Sequence, residues 1–128
     1  MKITHVALWT RDLNAQAHFW ENWFSARVGE QYDSRNRPGF SSRFVHLAQG
    51  ATIELMTLSQ LADAPLNPEC CGWAHIAVSV GDKAAVDSLA QRAQQEGILV
   101  SGPRYTGDGF YEAVLRDPDG NLVEITAE

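Results

Sequence analysis

Four residues in this chain have types and spacing suited to chemistry: His5, Glu54, His75 and Glu124. Seventy positions separate the two histidines, and seventy separate the two glutamates. Each His opens an apolar stretch, His5-Val6-Ala7-Leu8 and His75-Ile76-Ala77-Val78, and each Glu sits inside another, Ile53-Glu54-Leu55 and Val123-Glu124-Ile125. A lone histidine in a strand is usually a hydrogen-bonded structural residue, and a lone glutamate there is usually just solvated. That bland account suits His18, on a helical stretch, and His46, whose counterpart at the same offset is Arg116. It does not explain why both residue types recur at matching positions when most surface positions of the two halves have diverged. Two imidazoles and two carboxylates suit a divalent transition metal such as Zn²⁺, Ni²⁺, Co²⁺ or Fe²⁺. Four protein ligands on an ion able to take six leave two adjacent positions for water or substrate. Because two carboxylates neutralise the ion, such a site activates water less strongly than a three-histidine site. It is better suited to holding two neighbouring substrate oxygens. A carboxylate that loosens from the ion becomes a base for a proton on carbon beside a carbonyl.

The elements that must position these side chains follow the same offset. Residues 2–9 and 73–80 read as strands from their apolar, β-branched content. Asp12 and Asp82 are good helix N-caps. Behind them, Leu13, Ala17, Trp20 and Phe24 share one helical face, and Val86, Leu89, Ala90 and Ala93 share another. Short strands are expected near Val28–Asp33 and Leu99–Arg104. Further strands are expected over 42–48, 51–57, 110–116 and 121–126. Gln49-Gly50 and Asp117-Pro118-Asp119-Gly120 supply tight turns. Gly97 stands where a helix end favours a left-handed residue. Gly39-Phe40 matches Gly109-Phe110, and Gly50 matches Gly120. Matched caps and turns give an α+β chain of two tandem β-α-β-β-β modules. We read one domain over 1–128, made of module 1–58, a linker over 59–71 that holds Pro65 and Pro68, and module 72–128. Strand alternation sets all four polar residues on the face opposite their apolar neighbours. Edge-to-edge packing of the modules would turn cupped mixed sheets around a shared metal site. Trp9, Met56 and Trp73 fall on that same face and could wall an apolar substrate pocket, or pack between modules.

Composition narrows the field. A formal charge of −6 over 128 residues argues against nucleic acid or an anionic membrane surface as partner. No apolar run approaches the roughly 18 residues of a membrane span, and residues 1–5 lack signal-peptide features. A soluble cytoplasmic protein is expected. The only cysteines, Cys70 and Cys71, are adjacent. Neighbouring cysteines are poorly placed for an unstrained disulfide, which fits linker residues in a reducing compartment.

Taken together, Ile3-Thr4-His5-Val6-Ala7, Ile53-Glu54-Leu55, Trp73-Ala74-His75-Ile76-Ala77-Val78-Ser79-Val80 and Asp117-Pro118-Asp119-Gly120-Asn121-Leu122-Val123-Glu124-Ile125 resemble the vicinal oxygen chelate superfamily, across essentially the whole chain. Within it, the His/Glu/His/Glu set resembles that of glyoxalase I (lactoylglutathione lyase). That resemblance implies a glyoxalase-like fold with His5, Glu54, His75 and Glu124 as ligands of one ion, Zn²⁺ or Ni²⁺, with Co²⁺ also compatible. It implies Glu124 as the base, moving a proton between two carbons of a thiohemiacetal or related α-hydroxy carbonyl while the metal holds the enediolate, and Glu54 as its near-equivalent partner. The partners implied are a small-molecule substrate, a glutathione adduct being one candidate, and a second copy of the chain in a homodimer. Bacterial glyoxalases carry an Arg four residues after the first His and an Asn four after the first Glu, both gripping glutathione carboxylates. Trp9 and Leu58 stand at those positions, and neither makes a charged clamp. Arg35, Arg37 and Arg43 could supply positive charge instead. An epimerase or dioxygenase on the same scaffold is an alternative, as is a non-enzymatic module that binds an antibiotic-like small molecule.

Overall fold

Apolar residues on alternate positions make strands that bury one face, and here two sets of them are each covered by one amphipathic helix. The computed structural model describes residues 1–64 and 69–128; Pro65 and Pro68, read as linker residues, lie outside the described residues. The chain divides into two compact units, Met1–Ala64 and Pro65–Glu128.

In the first unit, β1 (His5–Trp9) is followed by α1 (Leu13–Phe24), two short strands β2 (Arg27–Val28) and β3 (Tyr32–Asp33), then β4 (Phe40–His46) and β5 (Thr52–Leu58). The sheet order is β1-β5-β4-β2, with β3 also pairing with β4. β1 runs parallel to β5, while β4 is antiparallel to β5, β2 and β3. The second unit repeats the plan with β6 (His75–Gly81), α2 (Lys83–Gln95), β7 (Leu99–Tyr105), β8 (Tyr111–Arg116) and β9 (Leu122–Ala127), in the order β6-β9-β8-β7. Again the outer pair, β6 and β9, is parallel.

The expected module plan is present, with two differences. The strands fall within three residues of their expected bounds, because turn residues fray the ends. The single strand expected near Val28–Asp33 is two, because Gly29 to Gln31 interrupt the pairing and, among their backbone–backbone bonds, only the Gly29 N–H reaches β4, at 2.8 Å from the Phe44 carbonyl. In the second unit β7 is continuous, but its register against β8 shifts twice, between Leu99 and Ser101 and between Ser101 and Arg104.

The punctuation does what its chemistry requires. Asp12 accepts from the Asn14 and Ala15 N–H groups at 3.0 and 2.9 Å, and Asp82 accepts from that of Ala85 at 2.9 Å. Asp117 accepts from the backbone of Asp119 and Asn121, closing the turn before β9. Gly97 takes the left-handed conformation after α2, at φ +75°. Helix α1 instead ends on Ser25 at φ +49°, a non-glycine residue in that region.

The two cores differ in filling. α1 buries Leu13, Gln16, Ala17, Phe19, Trp20 and Trp23 against Val45, Ile53 and Leu55. The buried Trp20 indole N–H donates to Gln16 Oε1 at 3.2 Å, so neither buried polar group is left unmatched. α2 buries only Val86, Ala90 and Ala93, against Ala113, Leu115, Val123 and Ile125. Phe24 and Leu89, expected on the buried helical faces, are half-buried.

Candidate metal centre

Register fixes what shares the open face of each sheet. In the first unit β1 presents His5, Ala7 and Trp9 on one side, while Val6 and Leu8 alternate toward α1. Phe44 lies opposite Glu54, Ser42 opposite Met56 and Phe40 opposite Leu58, so these residues join that side. His5 Nε2 and Glu54 Oε2 stand 3.9 Å apart. His5 Nδ1 lies 3.3 Å from Thr4 Oγ1, and the ring meets Phe44 edge-on at 6.0 Å.

The second unit builds the same pair. His75 Nε2 lies 3.6 Å from Glu124 Oε2. Two residues that the repeat argument did not single out join it. Glu112, opposite Thr126, is 6 % exposed on the same side of the sheet. Arg104, opposite Glu112, donates from Nη2 to Glu112 Oε1 at 2.8 Å. Burial pushes the Glu124 carboxyl above the ordinary range, and the Glu112 charge and a hydrogen bond to Glu112 push it further. His75 and Arg104 pull the other way. At the matching positions the first unit has Ser42 for Glu112 and Ser34 for Arg104. Strand alternation put Glu112 on the ligand face. The offset hid it, because its counterpart is not a carboxylate.

The four expected ligands thus stand as two His–Glu pairs, one per unit. Among the described residues no group of three or more His, Cys, Asp or Glu donors is assembled. Within each pair the gap is too long for a hydrogen bond. Metal–nitrogen and metal–oxygen bonds near 2.1 Å set two adjacent ligands of one ion about 3–3.5 Å apart, so each pair needs only a small closure to share an ion. The residues present fit half of a metal site in each unit.

The apolar residues expected near the site are placed unequally. Trp9 is 43 % exposed, and Met56 is half-buried opposite it. Trp73 precedes β6 and is 94 % exposed. Of the arginines considered as replacement charge, Arg43 faces the helix. It donates from Nε to the Gly29 carbonyl at 2.9 Å and from Nη1 to Asn14 Oδ1 at 3.3 Å, a structural role that removes it from the open face. Arg37 lies over the rings of Trp9 and Phe40. His18 is exposed on α1, and His46 pairs with Arg27 between β4 and β2. Cys70 and Cys71 are free, exposed thiols. No helix among the described residues is long and apolar enough to cross a membrane.

Residues 2–125 match the model of the Glyoxalase/Bleomycin resistance protein/Dioxygenase superfamily, and the chain belongs to that superfamily. Among individual relatives, the uncharacterized protein PA2024 of Pseudomonas aeruginosa is 35% identical over 127 residues, 97% of this chain and 86% of its own. The uncharacterized protein YqjT of Bacillus subtilis is 28% identical, over 96% of both chains. The fold is shared with a glyoxylase/bleomycin resistance protein/dioxygenase domain from Frankia sp. EAN1pec (TM-score 0.83, 18% identity, 99% of this chain and 91% of that one). It is shared too with glyoxalase I from Zea mays, of which this chain spans less than half (TM-score 0.77, 18% identity, 98% and 44%). A third is the trypanothione-dependent glyoxalase I of Leishmania major (TM-score 0.75, 21% identity, 100% and 87%). The architecture is the expected glyoxalase-like α+β fold of two modules.

Proposed function

We propose that this protein is a metal-dependent lyase or isomerase of glyoxalase I type, acting on a thiohemiacetal or related α-hydroxy carbonyl compound. The observation that carries the reading is the repeated facing of an imidazole and a carboxylate, at 3.9 Å in one unit and 3.6 Å in the other, without a hydrogen bond in either. His5, Glu54, His75 and Glu124 would together hold one divalent ion, Zn²⁺, Ni²⁺ or Co²⁺, with both pairs drawn from one chain or from two chains of a homodimer. When bound, the ion would supply positive charge to the hydroxyl oxygen and the neighbouring carbonyl oxygen of the substrate, which would acidify the proton on the hydroxyl-bearing carbon.

Glu124 is the group assigned to move that proton. A carboxyl held above the ordinary range by burial and by Glu112 is a stronger base than a solvated one. It takes the proton from the hydroxyl-bearing carbon and returns it to the adjacent carbonyl carbon, while the hydroxyl proton passes to the former carbonyl oxygen, so the product is an isomer and nothing is oxidised or reduced overall. Glu54 acts as its partner on the other side. His5 and His75 would help to hold the ion, and Thr4 steadies the His5 ring through Nδ1, which leaves Nε2 open for it. Phe44 and Met56 supply an apolar wall in the first unit.

The test is metal analysis of the purified protein, coupled to an assay with methylglyoxal plus glutathione. Bound metal with turnover, lost in Glu124→Gln with the circular dichroism spectrum intact, is the expected result. Bound metal with no turnover of any thiohemiacetal sinks the lyase reading. Metal-free protein that still binds a small molecule tightly turns it into a binding module.

A further inference from the structure

The two cysteines of the chain take no part in anything described so far. Cys70 and Cys71 are adjacent, both are free, and both are exposed. Free cysteine is among the most buried residue types, so a pair of thiols left in solvent points to what the sulfurs react with rather than to packing. The chain bends through residues 69–72 and enters β6 only at His75. In a strand neighbouring side chains would part to opposite faces; a bend imposes no such parting. Gly72 follows at φ +143°, a conformation that favours glycine, and a Cβ there would meet nothing within 4 Å. The two thiols thus stand exposed on a turning backbone.

Backbone spacing decides what such a pair can close on. The peptide between them is trans, which sets the two Cα atoms about 3.8 Å apart. A relaxed disulfide needs about 4.4–6.8 Å between Cα atoms and about 2.05 Å between sulfurs. Closing this pair on itself therefore costs strain and leaves a bond that is easily reduced. An ion between the sulfurs asks for less. With metal–thiolate bonds near 2.3 Å, two sulfurs on one ion stand about 3.8 Å apart at a tetrahedral angle and about 4.6 Å apart in line.

The donor count then selects the ion. Zinc in a closed protein site takes four ligands, and among the described residues no three His, Cys, Asp or Glu donors come together. Residues 65–68, Pro-Leu-Asn-Pro in sequence, add none of those types. A soft d¹⁰ monovalent ion is satisfied by two thiolates in line, and thiolate softness selects it over hard, oxygen-seeking ions. A net charge of −6 favours a cation here over an anionic thiol reagent.

We infer that Cys70 and Cys71 together hold one soft monovalent metal ion, of which copper(I) is the biological representative, through two thiolate bonds. On binding, each thiol gives up its proton, two sulfur–metal bonds form and no electron changes hands. The site is of opposite softness to the nitrogen and oxygen donors of His5, Glu54, His75 and Glu124, and it stands whether or not those residues serve a lyase.

The test uses the full chain, reduced and kept under nitrogen, titrated with copper(I) against the chromophoric chelator bicinchoninate. The unmodified protein should withdraw one ion per chain, with a new sulfur-to-copper absorption in the ultraviolet. Cys70→Ser and Cys71→Ser should each weaken binding about a hundredfold or more, because the second bond of a chelate forms at high effective concentration. His75→Ala should leave it unchanged. Three results overturn the inference: unchanged withdrawal by the double variant Cys70→Ser/Cys71→Ser, loss of withdrawal in His75→Ala, or one ion per two chains by native mass spectrometry.

Discussion

The two units share a plan and a histidine–glutamate pair, yet they surround that pair differently. In the first, Glu54 faces Phe44 across the strand pair, and the position matching Glu112 is Ser42. In the second, Glu124 faces Val114 and has beside it the Glu112–Arg104 ion pair, in which Glu112 is buried and Arg104 exposed. The helices diverge the same way, α1 packing aromatic rings and α2 packing alanine and valine. What the two units share is the frame and the His–Glu pair; what differs is the set of neighbours around that pair. On the proposed function, proton chemistry falls to the second unit, while Trp9 and Arg37 of the first have no counterpart at the matching positions, where Ser79 and Gly107 stand.

That division can be broken by exchanging like changes between the units. Glu124→Gln should lower kcat by about 10²–10⁴-fold, the range of a general base, while Glu54→Gln should lower kcat less and metal affinity at least as much. Equal losses of kcat would make the two carboxylates functionally equivalent. A second contrast lies in the cores. Trp20→Ala should cost about 3–5 kcal/mol in a denaturant titration, because it empties a site with no exposure at all. Val86→Ala should cost about 1–3 kcal/mol, and a reversed order would deny that α1 is the more heavily anchored helix. Of the caps, Asp12→Ala should cost about 1–2 kcal/mol and Asp82→Ala about 0.5–1 kcal/mol, since the first satisfies two N–H groups and the second one.

The smallest effect is a pH dependence. The Glu124 carboxyl is raised in the folded, metal-free protein, chiefly by burial, so the folded state holds that proton more tightly than the unfolded chain does. The stability this confers is present below the ordinary carboxylate pKa and is lost as pH rises through the raised value. Metal-free Glu124→Gln should therefore lose less stability than the unmodified protein over that window. Parallel melting curves against pH would show that the Glu124 carboxyl is not raised in the folded protein.

Much of this was legible in the chain before any coordinates. The common offset of His5, Glu54, His75 and Glu124, together with Asp12, Asp82, Gly50 and Gly120, reveals the repeat because caps and turns demand particular residue types. Strand alternation then puts the four polar groups on one face of each sheet. Two kinds of feature were not legible. The break between β2 and β3 depends on how Gly29 to Gln31 lie against β4, and two-residue strands leave no periodicity to find. The roles of Glu112, Arg104, Arg43 and Arg37 depend on which long side chain reaches which neighbour. Arg43 and Arg37 are alike in sequence, yet one ties a helix to its sheet and the other lies on open aromatic faces.

The irregular pairing of β7 has a consequence for the protein in concentrated solution. β7 is the outermost strand of its sheet, and a flat outermost strand offers a row of free backbone donors and acceptors on which a stranger's strand can grow. Here the two register shifts twist that row out of line, and Pro103 removes a donor from it. The sheet therefore terminates at β7, and crowding many copies of the chain offers no continuous template for fibre growth along that side.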